Sequence, residues 1–113
     1  MANKHRGELE ITLGEEHYNT RLNFDSIARI ESATNMSIIK LAQTIGEASI
    51  GIQNLSTILH IAIKGGGKDI SEKEVQRIIW NAGIVEGMAA AGEILTNALV
   101  GGQDEGKDEA EEA

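Results

Sequence analysis

The spacing of apolar residues changes once along the chain, from every second position to every third or fourth. Over residues 8–24, Leu9, Ile11 and Leu13 alternate with Glu8, Glu10 and Thr12. After Gly14-Glu15-Glu16, the residues Tyr18, Thr20, Leu22 and Phe24 alternate with His17, Asn19, Arg21 and Asn23. A period of two places one set on a single face of a strand, so the spacing predicts a β-hairpin with Phe24 completing the inner face of its return strand. Such a hairpin is marginal alone in water. It must pack on helices or pair with another chain, and its edge is the expected strand-pairing site.

From Asp25 onward the helical period takes over. A first helix is expected from Asp25 to Thr34, with Ile27, Ile30 and Thr34 on one stripe and Asn35 as a left-handed stop. Glu31 borders that stripe and is expected to reach outward or to pair with a base such as Arg21. Ser37 can cap a second helix carrying Ile38, Leu41, Ala42 and Ile45 and ending at Gly46. The third helix carries Ile52, Leu55, Ile58, Leu59, Ala62 and Ile63 on one face, with Gln53, Ser56, His60 and Lys64 on the other. Gly65-Gly66-Gly67 stops it. Ser71 with Glu74 forms a capping box for a fourth helix through Val75, Ile78, Ile79 and Ala82. The phase slips near Gly83. A fifth helix then carries Ile84, Met88, Ala91, Leu95 and Leu99, with Glu86 and Glu93 opposite. The expected fold class is α+β, mainly α: an N-terminal β-hairpin (8–24) followed by four or five short amphipathic helices, in a single domain over residues 1–100.

Charge sharpens the boundaries of that domain. The chain of 113 residues carries a formal charge of −8, and residues 101–113 hold six acids and one base without any large apolar side chain. That segment cannot recover the entropy of being ordered, so it is expected to be a disordered acidic tail beginning at Gly101-Gly102. The acidic balance opposes nucleic-acid binding and an anionic membrane surface. The polar opening Met1-Ala2-Asn3-Lys4-His5-Arg6 lacks a signal-peptide core, and no apolar run reaches the roughly 18 residues of a membrane span. A soluble, cytoplasmic protein is expected.

No arrangement of reactive residues emerges. There is no cysteine, which removes thiolate chemistry and disulfides. The triple glycine before Lys68 fails as a phosphate loop, because Ala62 and Asp69 stand where glycine and a hydroxyl residue are needed. The segment Gly67 to Glu74 has too few acids for a calcium loop, and Glu72 and Glu74 read as favourable charges at a helix N-terminus. His5, His17 and His60 show no metal-ligand spacing, and His60 lies on a polar face. No serine sits in a nucleophile elbow. The expectation is a non-enzyme without cofactor or metal. Gly83, Gly87 and Gly92 with Ala89–Ala91 form a small-residue surface. Close helix packing within one core is its first reading, and self-association into a homo-oligomer its second.

Trp80 is the notable exception to an aliphatic pattern. It lies on the far side of the fourth helix from Val75, Ile78 and Ile79, one turn from Arg77 and Ile84. Cover by another element, or stacking of Arg77 on the ring, is the plainer explanation. The functional one is a partner-binding anchor formed by Trp80, Arg77 and Ile84, since interface anchors are rich in Trp and Arg.

The string Ala2-Asn3-Lys4-His5-Arg6-Gly7-Glu8, the Leu9–Leu13 strand and the turn into Tyr18-Asn19-Thr20-Arg21-Leu22 resemble the start of gene transfer agent family proteins. These are phage-derived tail-module proteins grouped with phage tail assembly chaperones. The resemblance continues through Phe24 to Ile30-Glu31, Met36-Ser37-Ile38-Ile39-Lys40-Leu41, and Gly66-Gly67-Lys68-Asp69-Ile70-Ser71-Glu72-Lys73-Glu74-Val75. Asn35 departs from it, standing where such sequences usually carry glycine. The resemblance implies a tail assembly chaperone that binds the tape measure protein, together with the tail tube protein as a further partner, in the host cytoplasm and outside the mature particle. The alternative it implies is a structural tail tube or tail-completion protein of the same module.

Overall fold

The computed structural model describes residues 7–105, with side chains through residue 100. Two antiparallel strands, β1 (Glu8–Leu13) and β2 (Glu16–Arg21), precede five helices. These are α1 (Phe24–Thr34), α2 (Ile38–Gly46), α3 (Ile52–Gly65), α4 (Glu72–Ala82) and α5 (Ile84–Glu105). The architecture is α+β and mainly α, as the two periodicities predict.

The hairpin register pairs Leu9 with Thr20, Ile11 with Tyr18 and Leu13 with Glu16 around a Gly14-Glu15 turn. Ile11, Leu13, Thr20 and Leu22 are buried beneath it. Thr20 is accommodated there because its hydroxyl donates to the Leu9 carbonyl at 2.7 Å. Phe24 corrects the alternation: it does not line the strand but opens α1 and is 89% exposed. Asn23 is the reason. Its side chain accepts from the Ser26 amide while the Ser26 hydroxyl accepts from the Asn23 amide, a capping box that ends the extended chain before Phe24.

α3 is the centre of the packing, touching β2, α1, α4 and α5. Leu55, Ile58, Leu59, Ala62 and Ile63 are buried on it as expected. Cover from several sides also claims positions assigned to its polar face. Ser56 is buried, and His60 is half-buried with Nε2 2.9 Å from the Ile70 carbonyl oxygen. His60 is therefore not a solvated surface residue. Ile52, assigned to the apolar stripe, is half-exposed at the first turn of α3.

The helix junctions rest on specific polar groups. Asn35 adopts the left-handed conformation that ends α1, with φ 58°. The Ser37 side chain accepts from the Lys40 amide and caps α2. Glu31 neither reaches outward nor pairs with Arg21: its carboxylate accepts from the Ile38 amide at 2.9 Å, where the positive end of α2 favours it. Arg21 lies 3.8 Å from Glu8 across the hairpin instead. The Ser71 side chain accepts from the Glu74 amide at the start of α4.

α4 and α5 meet at Gly83, whose φ of 107° suits glycine, and their axes differ by 117°. The inward face of α5 runs through Gly87, Ala90, Ala91, Ile94, Leu95 and Ala98. This is rotated from the expected stripe, so Ile84 stands at the exposed corner rather than in the core. Glu86 is not simply opposite: its carboxylate accepts from the Gly14 amide, and Asn97 Oδ1 accepts from the Gly7 amide, so α5 holds both ends of β1 at 3.1 Å. α5 also continues through Gly101-Gly102 to Glu105. Residues 106–113, the remainder of the expected acidic tail, lie outside the described residues, as does His5.

Two substitutions test this packing. Leu59→Ala removes a fully buried side chain at the centre of α3 and is expected to cost about 2–5 kcal/mol in denaturant unfolding. Gly66→Ala would drive a methyl group into the Asn19 carbonyl, with an expected loss of about 1–3 kcal/mol by the same measurement.

Candidate docking surfaces

α4 buries Val75 and Ile79 and half-buries Ile78. Steps of roughly 100° per residue then place Lys73, Gln76, Arg77 and Trp80 side by side on its outward face. Trp80 is 75% exposed, so no neighbouring element covers it. Its ring borders a cleft of about 280 Å³ shared with Ile52, Gln53, Ser56, Gln76 and Ile79. The cleft lies between α3 and α4, which are tied together where Glu72 accepts from the Ser56 and Thr57 hydroxyls. Ile52 is half-exposed at this cleft, and Val85, 74% exposed, stands just beyond the Gly83 corner with Ile84.

The three residues expected to form one anchor are thus divided. Trp80 borders the apolar cleft. Arg77 lines a different groove, about 580 Å³, against the hairpin with Glu16, Tyr18, Lys68 and Glu74. Ile84 lies across the helix break. Tyr18 in the second groove has its pKa raised above the usual 10.0, chiefly by burial and further by the charges of Glu16 and Glu74. Its phenol therefore stays neutral at physiological pH.

Two further surfaces were not evident from periodicity. One groove, about 700 Å³, lies between β1, α2 and α5, with Leu9, Ala42, Ile45, Gly92 and Leu95 among its lining and Glu10 and Glu93 beside them. A smaller one, about 260 Å³, brings Phe24 and Ile27 of α1 next to Leu22 and Ala98. The signal for the second was the capping pattern Asn23-x-x-Ser26, which makes Phe24 helical. The first required the tertiary placement of α2 and had no local signal.

Among the described residues, no group of three or more His, Asp or Glu side chains is placed to hold a metal ion. His17 Nδ1 is 3.0 Å from the Thr12 hydroxyl, and His60 is held by Ile70. Among the described helices, no single one is long and apolar enough to cross a membrane. The surfaces offer apolar contact and charge at their rims, the properties of protein recognition.

A family model described as phage tail tube protein, GTA-gp10, matches residues 6–101. No curated protein and no solved structure matches the chain.

Because its ring projects into solvent, Trp80→Ala is expected to change folding stability by about 0.5 kcal/mol or less. Thermal unfolding followed by circular dichroism checks this, and a large drop in melting temperature would show that Trp80 is structural.

Proposed function

The chain belongs to the GTA-gp10 phage tail tube protein family, and we propose that within this tail module it acts as a tail assembly chaperone for the tape measure protein. Family membership makes it a phage-tail or gene-transfer-agent tail component. The finer role rests on one observation: Trp80 and Ile52 stand exposed at one apolar cleft, with Lys73 and Arg77 on the same outward face of α4 as Trp80. A long helical partner needs such surfaces, since an amphipathic helix binds by laying its apolar face into an apolar cleft. Binding would keep that partner soluble in the host cytoplasm while tail tube subunits assemble around it. The chaperone then departs before the particle is complete. No covalent chemistry, cofactor or nucleic acid enters this role.

A second reading, a structural tail tube subunit, is favoured by the family's description. Rings built by sheet extension need strands with free edges on both sides. Among the described residues the sheet has two strands, and Gly65 and Gly66 at the end of α3 lie against the outer carbonyls of Arg21 and Asn19 on β2. That arrangement weighs toward the chaperone.

Co-expression is expected to raise the soluble fraction of the tape measure protein and to give a complex that co-purifies, with Trp80→Ala reducing the recovered complex severalfold. Unchanged tape measure solubility would refute the chaperone role. Mass spectrometry of purified particles separates the two readings: a tube subunit is present in many copies, a chaperone in none.

A further inference from the structure

Among the described residues, the edge of β1 that faces away from β2 pairs with no further strand. The Leu22 amide donates to the Gly7 carbonyl at 3.0 Å, continuing the ladder in which pairs 9/20, 11/18 and 13/16 exchange hydrogen bonds. Pairs 10/19 and 12/17 are then the wide ones, so the amides and carbonyls of Glu10 and Thr12 point away from β2. At the opposite edge, the outward carbonyls of Asn19 and Arg21 are closed off by Gly66 and Gly65. The outward backbone of Glu10 and Thr12 has no hydrogen-bond partner among the described residues.

The 700 Å³ groove opens along this edge. Leu9 and Glu10, which project from opposite faces of β1, both border it, so it reaches the strand edge itself. Its floor is Gly92 and Leu95 of α5, and its far wall is Ala42 and Ile45 of α2. Gly92 keeps the floor low, with only the Ile45 Cγ2 methyl within reach of an added methyl group. Glu10 and Glu93 are exposed at the rim, and none of the lining residues carries positive charge.

We propose that this groove is a strand-addition site for an extended segment of a partner protein in which apolar residues alternate with lysine or arginine. The added strand pairs its backbone with Glu10 and Thr12 of β1. Alternate apolar side chains descend toward Leu95, Ile45 and Ala42. The intervening cations stay on the outer face beside Glu10 and near Glu93. Main-chain bonds supply affinity in this mode, and the side-chain alternation supplies register. The same charges oppose a second copy of this chain as the occupant, because pairing β1 with its equivalent sets the acidic outer faces of two strands side by side.

The test uses the full chain and a short peptide of alternating valine and lysine, followed by NMR titration and amide hydrogen exchange. Binding is expected to slow exchange at Glu10 and Thr12 and to weaken with added salt. The Glu10→Lys/Glu93→Lys variant is expected to bind roughly tenfold more weakly. If that variant loses its native spectrum, Glu10→Gln/Glu93→Gln is expected to show a severalfold loss. Trp80→Ala is expected to bind the peptide unchanged, which separates this site from the proposed chaperone surface. The proposal is overturned by an absence of peptide binding, by equal binding of a valine–glutamate peptide, by indifference to the charge substitutions, or by self-association through β1 in place of peptide capture.

Discussion

The structure depends on covering a two-stranded sheet that cannot stand alone. A hairpin of this length leaves two edges and one apolar face to be satisfied. α3 meets the outer carbonyls of β2 with the side-chain-free backbone of Gly65 and Gly66, an approach that any larger residue would block. α5 meets β1 from the other side, bonding the amides of Gly7 and Gly14 through Asn97 and Glu86. The first strand is thereby fixed by the last of the described helices.

That requirement shapes the helical layer. α3 must touch the sheet and three helices at once, so two of its polar positions are covered, and Ser56 and His60 take partners within the fold. α5 approaches the centre through small residues: a methyl group on Gly87 would come within 3.2 Å of Ile79 and 3.5 Å of Leu55. Of the small-residue surface, Gly87, Ala90 and Ala91 pack inside the chain, whereas Ala89 is exposed and Gly92 borders the groove beside β1. With so few aromatic residues, the core gains its density from interdigitated Ile, Leu and Ala instead.

Satisfying the interior leaves distinct outward surfaces. Trp80 is held out by the phase of α4, since Val75 and Ile79 occupy the inward positions. The α4–α5 corner carries Ile84 and Val85 beyond it. On the β1 side the rim is acidic, whereas the outward face of α4 carries Lys73 and Arg77. One small domain thus carries two outward surfaces of opposite charge, and family membership places the chain in the phage tail module.

Local chemistry was legible in the residues themselves. The period-two run from Glu8 gave the hairpin, the stripes at 3.6 gave the helices, and Asn35, Ser37 and Ser71 marked junctions, because each depends on a few neighbouring residues. The family resemblance was equally a property of the string. Long-range placement was not legible. Nothing near Glu31 announces the Ile38 amide, nothing near Gly66 announces the Asn19 carbonyl, and the groove between β1 and α2 exists only because α5 forms its floor. Whether a polar residue such as His60 is solvated or buried, and whether Arg77 and Trp80 share a site, depends on which distant element lies opposite. Periodicity fixes the direction a side chain takes from its own helix; only the packed chain decides what it meets there.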